Sequence, residues 1–74
     1  MDWKTIHKLT AERLRESKAV GTSAIEIARY VKDRGDARCI ATVYTMVRHA
    51  LYAWEVAGFV RSRFEKNRRV WVLA

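Results

Sequence analysis

Proline is absent from these 74 residues, and glycine occurs only at positions 21, 35 and 58. With so few breakers, no linker divides the chain, and 74 residues fill one small core and no more. A single cysteine, Cys39, excludes an internal disulfide and any zinc cluster built on thiolates. A reduced, cytoplasmic setting is the expectation. No run approaches the roughly 18 apolar residues of a membrane span. The start, Met1-Asp2-Trp3-Lys4, lacks the apolar core of a signal peptide. No membrane partner is expected. Glycine-rich phosphate loops, nucleophile motifs and paired carboxylates are missing, so neither an enzyme nor a cofactor is expected. His7 and His49 lie far apart with no Asp, Glu or Cys at ligand spacing, which argues against a metal. Glutamine is absent and Asn67 is the sole asparagine. Depletion of thermolabile amides is a thermophile trait.

Acid is scarce, and unevenly so. Half the residues are apolar, so the chain folds, yet 15 Lys+Arg face only 8 Asp+Glu, a net charge of +7. Residues 1–36 hold 8 basic and 6 acidic side chains, and residues 37–74 hold 7 and 2. Between Arg61 and Arg69 five cations (Arg61, Arg63, Lys66, Arg68, Arg69) surround the one acid, Glu65. Arg outnumbers Lys ten to five, which favours planar, bidentate recognition of phosphate or guanine. Solubility alone does not need such concentration. A polyanion, nucleic acid first, is the partner this distribution suits.

The glycines divide the chain into three helical stretches and a tail. Trp3 to Ser17 repeats apolar residues at helical spacing (Trp3, Ile6, Leu9 or Thr10, Leu14), with Asp2 as N-cap. Ala19-Val20 reads as a short extended piece ending at Gly21. Ser23 to Lys32 opens on a capping box, Ser23 with Glu26, and carries a narrow stripe of Ala24, Ile27, Ala28 and Val31. A third helix is expected over Ala37 to Ala57, with Asp36 as N-cap and Gly58 as C-cap. At roughly 100° per residue, Ile40, Val43, Tyr44, Val47, Ala50, Leu51 and Trp54 share one face. Cys39, beside Ile40, is expected to be buried. The opposite face holds Arg38, Ala41, Thr42, Thr45, Arg48, His49 and Tyr52, with no acid before Glu55. Such donor and stacking side chains suit phosphates and base edges better than a plain solvated face.

The tail changes period. Phe59 to Phe64 and Arg69 to Leu73 read as strands joined by Glu65-Lys66-Asn67-Arg68, with Asn67 able to take a positive φ. Trp71 and Leu73 are the expected packing face. Trp3 is expected to stay exposed at its terminus.

This α+β order of three helices followed by a two-stranded hairpin resembles a winged helix-turn-helix domain over nearly the whole chain. Ser23 through Val31 is similar to the first helix of that motif. Thr42-Val43-Tyr44 through Ala57-Gly58-Phe59-Val60 is similar to a recognition helix entering its wing, about a turn longer than usual in the family. The resemblance implies double-stranded DNA as partner and a regulator of transcription, with the third helix in the major groove. It assigns Arg38, Thr42, Thr45, Arg48 and His49 to the groove, and Arg63, Lys66, Arg68 and Arg69 to phosphates. A homodimer through the first helix and Trp3 is expected, and a small-molecule ligand is not. A compact winged helix of this kind suits an archaeon or an archaeal virus. Two neighbouring readings share the fold. One is a protein-docking winged helix, whose third-helix face is usually mixed in charge or apolar. The other is a binder of left-handed DNA, which Tyr52 and Trp71 resemble, although Arg48 stands where that family has Asn and the wing prolines are missing.

Overall fold

A computed structural model describes residues 2–36 and 38–74. Three helices precede an antiparallel hairpin: α1 (Trp3–Ser17), α2 (Ala24–Asp33), α3 (Ile40–Ala57), β1 (Val60–Glu65) and β2 (Arg68–Leu73). This is the expected α+β layout, in the arrangement of a winged helix.

Local chemistry explains most of the boundaries. The Asp2 carboxylate accepts from the Thr5 amide at 2.9 Å and starts α1. Ser23 and Glu26 close a reciprocal capping box on α2. Gly58, at φ +87°, ends α3 by donating to the carbonyls of Glu55 and Trp54. In the hairpin, Lys66 and Asn67 both take positive φ, +50° and +66°. Two consecutive left-handed residues match the right-handed twist of paired strands, so the ladder runs through to Glu65 and Arg68.

Four expectations give way here. Ala19-Val20 is not extended; Lys18–Val20 form a 3-10 turn, and the extended residue comes later, at Thr22. Asp36 is not the cap of α3. Its buried carboxylate instead binds the Arg38 amide (2.9 Å) and guanidinium (3.0 and 2.9 Å). That clasp holds the chain out of helical conformation until Cys39, so α3 starts at Ile40 and the extra turn is absent; Ala37 lies outside the described residues. Cys39 is therefore an exposed N-cap residue and not a buried one. Leu73 is exposed, whereas Trp71 and Val70, on opposite faces of β2, are both buried.

Those two burials show how the hairpin is held. Trp71 packs into the core formed by Ile6, Leu14, Ile27, Val43, Val47 and Leu51. Taking a tryptophan out of water removes roughly 200 Å², worth about 5 kcal/mol. On the other face, Val70 and Val72 press against Gly21. Thr22 pairs with Trp71 through two backbone hydrogen bonds of 3.0 and 2.8 Å. The α1–α2 connection thus acts as a one-residue third strand beside β2.

The Asp36 clasp sets part of the response to acid. Its hydrogen bonds from Arg38 hold the carboxyl below its ordinary value. A carboxyl depressed in the fold contributes stability above its unfolded pKa and loses it as pH falls through the folded value. Melting temperature is therefore expected to fall below about pH 4. Asp36→Asn should cost about 2 kcal/mol at neutral pH, since Arg38 is a third exposed, and should flatten that acid decline. An unchanged pH profile of thermal melts would contradict the assignment.

Candidate nucleic-acid interface

The apolar stripe of α3 turns Val43, Val47, Ala50 and Leu51 into the core, with Tyr44 and Trp54 half-buried at its margins. Only Ile40 of the expected stripe is exposed, at the helix start. This orientation leaves Ala41, Thr42, Thr45, Arg48, His49 and Tyr52 on the outer face. Five of the expected contact residues thus divide into four that share the outer face of α3 and one, Arg38, that precedes the helix. Arg38 is engaged by Asp36 and donates to the Met46 sulfur at 3.0 Å.

The outer face has its own internal bonds. Thr45 donates to the Ala41 carbonyl at 3.0 Å. Thr42 Oγ1 meets the Cys39 sulfur at 3.2 Å, and that bond lowers the thiol pKa. Arg48 donates to the Tyr52 hydroxyl at 3.1 Å, and its guanidinium lies 5.5 Å from the rings of both Tyr44 and Tyr52. The bond from Arg48, with its charge and that of Arg69, lowers the Tyr52 pKa.

The hairpin residues also divide. Phe64 pairs with Arg69 and Ser62 with Trp71, so these four share the face toward the helices. The Arg69 guanidinium lies 5.0 Å from the centre of the Phe64 ring, 5.6 Å from that of Trp71 and 5.7 Å from that of Tyr52. Tyr52 meets Trp71 edge-on at 5.4 Å. Arg63 pairs with Val70 on the opposite face, where it donates to the carbonyls of Ala19 (3.2 Å) and Val20 (2.9 Å) and to Glu65. It staples the 3-10 turn to the hairpin and does not join α3. Lys66 stands exposed in the turn, and Arg68 lies 3.4 Å from Glu26.

Between α3, the start of α2 and the hairpin runs an open groove of about 520 Å³. Arg48, Arg68 and Arg69 line it together with Tyr44, Tyr52, Phe64 and Trp71. Neither Arg48 nor Arg69 has a carboxylate partner among the described residues. Tyr52 is where sequence reasoning expects it; Tyr44 packs against the core as expected and also lines the groove, and Phe64 is an addition of the structure. The signal was present: Tyr44, Arg48 and Tyr52 follow each other at four-residue spacing, and strand alternation puts Phe64, Arg69 and Trp71 together.

No helix among the described residues is long and apolar enough to cross a membrane. No protein-family model, curated protein or solved structure matches the chain.

Proposed function

We propose that this domain binds double-stranded DNA and serves as a regulator of transcription. The observation that carries the reading is the carboxylate-free outer face of α3, with Thr42, Thr45, Arg48 and His49 exposed beside the arginine-rich groove of the hairpin. A helix about 10–12 Å across fits a major groove about 12 Å wide, and its threonine, arginine and histidine side chains suit base edges and phosphates. Lys66, Arg68 and Arg69 lie where a hairpin beside that helix would meet the backbone. Arg38 and Arg63, committed to Asp36 and to the 3-10 turn, take no part in this reading.

Four cations on this face (Arg48, Lys66, Arg68, Arg69) set the expected salt response. Titration of a labelled duplex should give a log–log slope of affinity against salt of about −4. Single-stranded DNA and duplex RNA should compete poorly. Absence of binding at low salt would leave docking to an acidic protein as the use of this surface.

Self-association is proposed for α1. Trp3 is 46% exposed and leans on His7, which in turn meets Trp54 of α3. This aromatic row lies away from the groove. Light scattering is expected to show a dimer that Trp3→Glu converts to monomer. A monomeric wild type would overturn the proposal.

A further inference from the structure

Resting on the DNA-binding reading, we propose that the groove between α3 and the hairpin takes an unpaired nucleotide, so that the domain prefers duplexes carrying a bulge or a single-strand junction. Phosphate contacts need cations but not rings. This groove supplies both. Arg48 and Arg69 face it without carboxylate partners among the described residues, and each lies 5.0–5.7 Å from the centroids of two or more aromatic rings. Cations at this distance from ring faces are attracted to them and stay beside the apolar surface. A guanidinium can offer a flat surface to a base and donors to the adjoining phosphate. Phe64 is 72% exposed and Tyr52 38%, an apolar surface beside the cations that remains open to solvent. The Tyr52 hydroxyl, already an acceptor from Arg48, keeps its own proton free to donate.

The space agrees. A groove of about 520 Å³, open along one side, admits one base with its sugar and phosphate while the flanking duplex continues over α3. Rings interleaved with cations are the general chemistry of unpaired nucleic acid, because every base has a face to stack. A paired base keeps both faces inside the helix and gains nothing from Phe64.

The test compares one duplex with the same duplex carrying a single extra 5-iodouracil nucleotide. The bulged form should bind at least about fivefold tighter, from stacking of one base. Irradiation should crosslink that base to Phe64 or Tyr52. Phe64→Ala, at an exposed position that leaves the core intact, should abolish the difference in affinity between the two duplexes. Equal affinity for both duplexes, or a crosslink outside the groove, would overturn the inference and leave duplex binding standing. Failure to bind either duplex would remove both.

Discussion

Gly21→Ala is expected to lower the melting temperature by about 15–25 °C, the largest effect of any single methyl in this chain. Two costs add. Gly21 sits at φ +82° and ψ 172°, a region that only glycine enters readily. A Cβ there would lie 2.3 Å from Val70 Cγ1, 3.0 Å from Val72 Cγ1 and 3.1 Å from the Trp71 carbonyl. The valines cannot step aside freely, because Val70 is buried and Trp71 is tied to Thr22 on both sides. Backbone strain and overpacking together come to about 4 kcal/mol. Gly35→Ala separates them. It also takes a positive φ, +103°, but its Cβ would meet nothing within 4 Å. Circular dichroism melts should therefore place Gly35→Ala well above Gly21→Ala. Equal losses would mean that the contact with β2 contributes nothing.

Reversing two charges at the hairpin tip is the second large effect. Lys66→Glu with Arg68→Glu should weaken duplex binding on the order of a hundredfold at 0.1 M salt and reduce the salt slope by about 2. Both side chains are exposed, so the fold should survive, although Arg68→Glu replaces the ion pair with Glu26 by a like-charge contact. The comparison is Lys4→Glu with Lys8→Glu, an equal change of net charge on α1. If binding follows position, the α1 pair loses little. If both pairs weaken binding alike, the protein attracts DNA through its net charge and the α3–hairpin face has no special place.

The element order, both helix caps at Asp2 and Ser23, the Gly58 stop and the hairpin were legible in the sequence because each rests on local chemistry. Residues three or four apart, or in one turn, are enough to define them. What sequence could not show is which of several available partners a side chain takes, close by for Asp36 and far along the chain for Arg63. Asp36 looks like any cap residue until its carboxylate is seen spent on Arg38, and that one bond moves the start of α3, exposes Cys39 and removes Arg38 from the outer face. Leu73 and Val70 are equally apolar in the sequence. Which is buried is decided by where the α1–α2 connection crosses β2. Arg63 belongs to the basic run by composition, yet carbonyls 43 and 44 residues away claim it.

The pairing of Thr22 with Trp71 also bears on aggregation. An unpaired strand edge is a template for joining sheets from different molecules. In this fold β2 has β1 on one side and Thr22 on the other, so the most apolar strand, Arg-Arg-Val-Trp-Val-Leu, offers no open stretch at its centre. The free edge falls to β1, whose sequence Val-Arg-Ser-Arg-Phe-Glu places two arginines where a second sheet would have to approach. Charged side chains on an edge strand disfavour its pairing with a copy of itself, and here they stand in for the proline that the chain lacks.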